Sequence, residues 1–177
     1  MQLLVLTICL YFLEGLYAPM RYVERARYFQ MVKVEDIGDY RRTHISSELG
    51  PELDGLQVIV AGWVSSIRRQ GGISFLILQD RAGIVQVTAS KDRSSSKVLD
   101  VFDNLPLYSV VAVKGTIKSI KKAPRGAEVV PDEIRVLNVA KRDPPFSLFG
   151  ENLPNIDKRL DIRSLELRRS KPQAIFK

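Results

Sequence analysis

Residues 57–86 constrain the fold of this chain most strongly, because their apolar side chains alternate with polar ones in three short runs. Alternation with a period of two is typical of strands that are buried on one face only. The glycine-containing segments 70–72 and 80–83 separate the three runs, and both are favourable sequences for tight turns. Three consecutive strands joined by two short turns predict a curled antiparallel sheet.

The alternation also predicts which side chains face outward. In the second strand, Ile73 to Gln79, Leu76 and Leu78 are expected to fill the interior, so Phe75 faces out. In the third strand, Gln86 alternates with the inward valines on either side of it and shares the outer face with Phe75.

The rest of the chain supplies a helix and two further strands. The expected elements are a helix over Ser94 to Leu105, a strand over Tyr108 to Ile120 with a bend or bulge at Gly115, a basic turn over Lys121 to Gly126, and a strand over Ala127 to Ala140 that a turn at Pro131-Asp132 interrupts. The order β-β-β-α-β-β predicts an all-β fold, the five-stranded Greek-key barrel called the OB-fold, with a helix between strands three and four.

Three segments follow from this pattern: an N-terminal extension over residues 1–38, the barrel over 39–140, and a linker with a tail over 141–177. The apolar run Met1 to Leu13 is too short for a membrane span, which needs roughly 20 residues, and it lacks the basic start of a secretory signal. We expect an extension outside the barrel and no membrane; an apolar docking helix or a degenerate targeting segment are the alternatives. Asp161 to Ala174 is expected to start a basic amphipathic helix with Leu165 and Leu167 as its apolar anchors.

Composition excludes several kinds of site. Cys9 is the one cysteine and His44 the one histidine of the chain, so an internal disulfide, a cysteine-cluster zinc site and a two-histidine catalytic site are impossible within it. Minimal cysteine suits a reducing compartment, and we expect a cytoplasmic protein. The sequence offers no catalytic residue and no metal ligand.

Charge points to a phosphate-binding surface. The net charge is +7, and residues 108–126 hold five lysines and arginines with no acidic residue. This stretch includes the loop between strands four and five, which commonly borders the ligand surface of an OB-fold. Lys121, Lys122 and Arg125 are therefore candidate phosphate contacts, the alternative being a solvated loop that keeps the protein soluble.

The outer face carries groups that suit single-stranded nucleic acid. Aromatic rings stack on bases, and each such contact is worth about 1–3 kcal/mol. Phe75 is the candidate stacking platform, and the amide of Gln86, which can donate and accept, suits a uracil edge. The alternative is that Phe75 is a core residue and Gln86 a solvated strand residue.

Four separated blocks resemble the N-terminal part of archaeal-type aspartyl-tRNA synthetases. They are RTHISSEL at 42–49, VAGWVSSIRRQGGISFLILQDRAGIVQV at 60–87, KAPRGAEVVPDEIRVLN at 122–138 and RLDIRSLELRR at 159–169. The resemblance covers roughly residues 40–177, and the asparaginyl and lysyl enzymes share the fold with weaker similarity.

The resemblance implies that the OB-fold binds a tRNA anticodon. The residue matching Phe75 would stack on the middle base, a uridine, and those matching Arg68 and Gln86 would hydrogen-bond it. Glu128 would lie near the first base, a guanine, whose N–H groups a carboxylate can accept. Positions matching Ser65 and Pro124 influence the choice between aspartate and asparagine tRNA.

The chain departs from the family in two places. It ends at AIFK, where the family's class II catalytic domain begins, so we expect no enzyme activity from this chain alone and no cofactor in it; ATP and magnesium would belong to the absent domain. The family's LRRP is LRRSKP here, with Pro172 displaced. Rival interpretations are a general single-strand-binding protein, a module that docks on a separate catalytic subunit or dimer partner, and a pseudogene product without function.

Overall fold

Five strands and a nine-residue helix form the centre of the computed structural model, which describes residues 32–149 and 154–176. The elements are β1 (Gln57–Gln70), β2 (Ile73–Gln79), β3 (Ile84–Ser90), α1 (Ser96–Asn104), β4 (Val110–Ser119) and β5 (Ala127–Asn138). The strands pair in the order β1-β2-β3-β5-β4, and β4 pairs back with β1 to close a barrel. All pairs are antiparallel except the short one between β3 and β5. The predicted OB-fold, with its helix between the third and fourth strands, is confirmed.

The barrel interior is built by the alternation that the sequence shows. Val58, Val60 and Val64 of β1 are all at most 3% exposed, and Leu76 and Leu78 of β2 are at most 1% exposed. The side chains between them point outward and are half-buried or exposed. The predicted inward faces of these strands are therefore confirmed.

The helix α1 closes one part of this core. Its N-cap residue Ser95 accepts a hydrogen bond from the backbone N–H of Val98, which satisfies one of the amides that a helix start leaves without a partner. Val98 and Phe102 are fully buried in the core. The Arg69 guanidinium, at the end of β1, donates to the carbonyl of Phe102 at 2.7 Å and to the Asp103 carboxylate at 2.9 Å, which fixes the helix end against the strand.

The pairing of β4 with β5 contains a bulge where Gly115 lies opposite Pro131. The predicted irregularity at Gly115 is confirmed: the register shifts between Lys114 and Gly115, and a Cβ at Gly115 would lie 2.2 Å from the Val130 carbonyl oxygen. The predicted turn at Pro131-Asp132 is wrong, because β5 runs through both residues without interruption. Pro131 lies opposite Gly115, and Asp132 is the extra residue of the bulge, where proline is compatible with a strand.

The segment before β1 packs on the barrel. Val32 is 9% exposed and joins the core, and the Glu35 amide donates to the Val136 carbonyl at 2.8 Å. The predicted helical turn before Gly50 is present as the 3-10 turn Ser46–Glu48, and a second one follows at Pro51–Leu53. The apolar run Met1 to Leu13 lies outside the described residues.

The C-terminal segment forms three short helices, α2 (Ile156–Asp161), α3 (Arg163–Glu166) and α4 (Ser170–Ile175). The single amphipathic helix predicted over 161–174 is therefore wrong. Its two anchors are two positions apart and cannot share one face of a helix. The described residues contain no helix that is long and apolar enough to cross a membrane.

The residue that organises these short helices is Glu166, whose side chain is fully buried. Its carboxylate pairs with the Arg159 guanidinium at 2.5 Å and also with Arg163. Burial by itself would raise the pKa of this carboxyl, but the two guanidinium groups outweigh it and lower the pKa below its ordinary value.

Candidate nucleic-acid interface

Two rows of side chains cross the outer face of the barrel. In the first row, Arg68 of β1 lies opposite Phe75 of β2, which lies opposite Thr88 of β3. Because residues directly opposite each other in antiparallel strands share a face, these three side chains are neighbours on the surface.

The second row lies two residues further along each strand. It runs from Ile77 of β2 to Gln86 of β3 and on to Glu128 of β5, through the parallel β3–β5 pair. A period of two keeps both rows on one face. The closed barrel therefore brings together residues from four strands that are up to sixty positions apart in the sequence.

An open cleft of about 1160 Å³ lies over these rows. Of the predicted site residues, Arg68, Phe75, Gln86 and Lys122 line the cleft. Phe75 is half-buried. The two positions that the resemblance connects with tRNA choice, Ser65 and Pro124, also line it.

Glu128 does not line the cleft but lies directly beside it. It is 8% exposed, and one of its carboxylate oxygens, Oε2, accepts two hydrogen bonds. The Gln86 Nε2 donates at 2.9 Å and the Thr88 hydroxyl at 2.7 Å. The two polar residues that the resemblance assigns to different bases are therefore joined to each other in the free protein.

The basic residues separate into two groups. The side chains of Arg68, Lys121 and Lys122 make no hydrogen bond or ion pair with any residue that the structure describes, so their charges are available to a ligand. Arg125 is different, because its guanidinium donates to the Ser47 carbonyl at 2.8 Å and the Leu49 carbonyl at 3.2 Å. The structure thus brings Lys122 to the cleft, whereas Lys121 and Arg125 do not line it.

The Ser46–Glu48 turn is held by a second contact on its other side. Asp80, in the β2–β3 turn, accepts from the Ser46 amide at 2.7 Å and the Ser46 hydroxyl at 2.6 Å, and from the amides of Ala82 and Gly83. Burial would raise the pKa of this carboxyl, but the four hydrogen bonds outweigh burial and lower it. The segment around the Ser46–Glu48 turn is therefore bonded on one side to the β2–β3 turn, through Asp80. On the other side it is bonded to the loop between β4 and β5, which carries Lys122, through Arg125.

Two residues of this surface are not among the predicted site residues. Thr88 lies beside Phe75 and two positions after Gln86, so the alternation in β3 contained the signal that places it on the outer face. Phe149 lines the cleft from the predicted linker, and its ring stacks on Tyr108 with the centroids 5.3 Å apart. No pattern in the sequence of residues 141–149 indicates this return to the barrel.

Among residues 32–149 and 154–176, no group of three or more histidine, cysteine, aspartate or glutamate side chains could hold a metal ion.

Comparison with known proteins gives the same fold. The tRNA anti-codon family, described as an OB-fold nucleic acid binding domain, matches residues 58–137. Two aspartate–tRNA(Asp/Asn) ligases are similar in sequence: that of Methanococcus maripaludis is 46% identical over 143 residues and that of Methanocaldococcus jannaschii is 45% identical over 138 residues. The matches cover 80% and 78% of this chain, respectively.

Among solved structures, an asparaginyl-tRNA synthetase from Pyrococcus horikoshii complexed with asparaginyl-adenylate matches with a TM-score of 0.69 at 32% identity. That match covers 77% of this chain and 31% of the synthetase. The chain also spans only 32% of the length of each of the two ligases. Residues 58–137 match the tRNA anti-codon family of OB-fold nucleic acid binding domains, and the chain is homologous to the N-terminal part of the aspartate/asparagine-type tRNA ligases.

Proposed function

We propose that this chain binds the anticodon loop of tRNA in the cleft of the barrel and reads the middle anticodon base there. The observation that carries the proposal is the convergence of Arg68, Phe75, Gln86 and Lys122, from three strands and one loop, on a single open cleft. An outward aromatic ring with hydrogen-bonding groups and an unpaired cation around it is the combination that single-stranded nucleic acid requires.

The chemistry of uracil fits the groups around Phe75. The Watson–Crick edge of uracil carries one N–H donor between two carbonyl acceptors. Stacking on Phe75 would hold the base, Arg68 would donate to a carbonyl oxygen, and the Gln86 amide would pair with the edge. Lys122 would meet a phosphate of the same strand, since a lysine ammonium acts as a point charge toward phosphate.

Glu128 is proposed to contact the first anticodon base, a guanine. Both internal hydrogen bonds of this carboxylate go to its Oε2. Its Oε1 therefore has capacity for the N1–H and N2–H donors of guanine. Lys121 and Arg125 keep their predicted phosphate role only as weaker contacts, because neither lines the cleft.

The test is binding of the 177-residue chain to an aspartate-anticodon stem-loop, measured by fluorescence anisotropy over a range of salt concentrations. The comparison is the same stem with the middle uridine replaced by cytidine. We expect at least tenfold weaker binding to the replaced stem, which corresponds to about 1.4 kcal/mol. Equal affinities with a steep salt dependence would refute base reading and favour the general single-strand-binding alternative.

Phe75→Leu tests the stacking contact, because leucine keeps an apolar side chain on the strand but has no ring. We expect a loss of about 1–3 kcal/mol in binding, roughly 5- to 150-fold. Ile73→Ala is the matched control, since Ile73 is an exposed apolar residue on the same strand that does not line the cleft. Unchanged affinity of a folded Phe75→Leu variant would show that the ring does not stack.

The relatives are tRNA ligases, and this chain spans about a third of their length. We propose that residues 39–140 are the anticodon-binding unit and that aminoacylation, with its ATP and magnesium, lies outside the described residues. Because the relatives are named as ligases for tRNA(Asp/Asn), both tRNAs are candidate ligands. Stem-loops that differ only in the third anticodon base test this choice. Since tRNA is the ligand, we place the protein in the cytoplasm.

We also propose that the chain docks on a protein partner, which is either a separate catalytic subunit or the partner subunit of a dimer. The C-terminal segment over residues 154–176 contains four large apolar residues that are 49% to 79% exposed: Ile156, Leu160, Ile175 and Phe176. Exposed apolar residues that lie on neighbouring elements are typical of protein-docking surfaces. Co-purification with a class II synthetase core that Phe176→Ser abolishes would support docking.

A further inference from the structure

The outer face of the barrel has a third row of side chains, two residues beyond the second. Ile84 of β3 lies opposite Gln79 of β2, and both alternate with the inward residues of their strands. Both line the cleft, and Ile84 is 42% exposed. This end of the cleft therefore presents an exposed aliphatic side chain beside an amide.

Phe149 lies at the same end of the cleft. It lines the cleft, and it also lines a smaller cavity of about 100 Å³ together with Trp63 and Gln79, which lie opposite each other in β1 and β2. Phe149 is half-buried. Apolar side chains around a few polar groups are typical of ligand sites.

The position of the Phe149 ring is set within the protein. Its neighbours in the chain, Phe146 and Leu148, are 8% and 4% exposed. Its ring stacks on that of Tyr108 with the two planes 11° apart, and the Tyr108 amide donates to the Val64 carbonyl of β1 at 2.8 Å. A ring that is held in this way loses little freedom when a ligand stacks on it.

The third row is too far from Phe75 for one base to contact both rings. Phe75 and Gln79 are four residues apart on β2, which corresponds to about 14 Å at roughly 3.4 Å per residue. Phe75 and Phe149 would therefore hold two different bases. Proteins that bind single strands commonly stack successive bases on separate aromatic side chains.

We propose that Phe149, with Ile84 beside it, forms a second stacking site in the cleft and that this site takes the third anticodon base. The inference rests on the proposed anticodon binding and extends it by one base. Glu128, proposed for the first base, lies on β5, whereas Phe149 lies beside β1, on the other side of β2. An anticodon with its first base at Glu128 and its middle base at Phe75 continues toward Phe149.

The contact at Phe149 increases affinity without choosing between pyrimidines. Every base has a π-face, so stacking depends little on base identity. The anticodons of the two candidate tRNAs differ at the third base. We therefore expect Phe149→Leu to weaken binding of both stem-loops by the same factor, roughly 5- to 150-fold.

The decisive test is a double-mutant cycle that pairs Phe149→Leu with removal of the third base. Fluorescence anisotropy measures the binding of the full chain and the variant to an aspartate-anticodon stem-loop and to the same stem-loop with an abasic third position. The abasic change should weaken binding to the unmodified chain roughly 5- to 150-fold. In Phe149→Leu it should cost at least about fivefold less, because the stacking partner is already absent.

Two controls separate this contact from general effects. Phe176→Leu makes the same chemical change at an exposed ring that does not line the cleft, and it should leave both affinities unchanged. An abasic middle position should be non-additive with Phe75→Leu and additive with Phe149→Leu to within about twofold. Non-additivity of Phe149→Leu with both abasic positions would show a general disturbance of the cleft and overturn the inference.

Additive effects of a folded Phe149→Leu variant and the abasic third position would also overturn the inference, and the proposed reading of the middle base would stand. Should that variant not fold, Ile84→Ala carries the same cycle at an exposed position, with an expected non-additivity of at least about twofold. Additivity there, or equal affinity of the unmodified chain for the intact and third-position abasic stem-loops, would overturn it. Equal affinity for middle uridine and cytidine would refute the anticodon proposal, and the inference with it.

Discussion

Replacing Asp80 by asparagine tests the contact that holds the Ser46–Glu48 turn against the barrel. The asparagine oxygen can take the place of Asp80 Oδ1, which accepts from the Ser46 hydroxyl and from the amides of Ala82 and Gly83. The new NH₂ then takes the place of Oδ2, which accepts from the Ser46 backbone N–H at 2.7 Å. Two donors face each other there, and the Ser46 amide loses its partner.

The size of the effect follows from the burial of Ser46, which is 2% exposed. A buried N–H without a partner costs about 1–3 kcal/mol, and we expect the free energy of unfolding to fall by that amount in Asp80→Asn. For a domain of about 100 residues, each kcal/mol lowers Tm by roughly 4–8 °C. Urea unfolding measures the loss, and the slope of the free energy against urea should stay the same because the exposed surface does not change.

The pH dependence gives a second, independent check of the Asp80 contact. The pKa of Asp80 is lower in the folded chain than its ordinary value of 3.8. The stabilisation is therefore complete above that ordinary value and is lost as pH falls through the lower, folded-state pKa. The difference in unfolding free energy between the unmodified chain and Asp80→Asn should be constant above about pH 5 and should shrink on acidification.

Asp92→Asn is the control for this experiment, because Asp92 is exposed and bonds to no described residue. It should change the unfolding free energy by less than about 0.5 kcal/mol. A variant Asp80→Asn that is as stable as Asp92→Asn, or whose deficit stays constant down to pH 2, would refute the reasoning.

Three further substitutions test the bulge and the basic loop. Gly115→Ala should lower the unfolding free energy by about 1–3 kcal/mol in urea unfolding, because its Cβ meets a backbone carbonyl that cannot rotate away. Lys122→Ala should reduce the slope of log affinity against log salt by about 0.7–1, with the base preference unchanged. Arg125→Ala should lower that salt slope less than Lys122→Ala does, and it should lower Tm because two carbonyls lose their donor. A larger change of slope in Arg125→Ala than in Lys122→Ala would show that the two roles are reversed.

The strands and their inward faces could be predicted because the signal is local. In β2, the alternation of Phe75, Leu76 and Ile77 by itself decides which residues fill the barrel, and the structure agrees. Local alternation does not predict the path of the chain at Pro131. Proline ends most strands, and only the bulge opposite Gly115, contributed by another strand, lets β5 continue through it.

The site was predicted as a set of residues but not as a network. The sequence and the resemblance indicate Gln86 and Glu128 separately, and each was expected to meet its own base. Their mutual hydrogen bond depends on the short parallel pairing of β3 with β5, which joins residues 42 positions apart. Local periodicity carries no information on such a pair, so Thr88, whose role depends on it, was missed.

A count of the basic residues in the loop between β4 and β5 overstates how many of their side chains are free to contact a ligand. Lys122 and Arg125 contribute equally to the acid-free stretch, yet their side chains have different chemistry. The guanidinium fork presents five fixed N–H donors and can hold two backbone carbonyls at once, as Arg125 does with Ser47 and Leu49. A lysine ammonium has no such fork, and Lys122 stays unpaired at the cleft. The arginine therefore fixes the loop that holds Lys122 at the cleft, and Arg125→Lys, which keeps the charge but not the fork, should not restore the stability lost in Arg125→Ala.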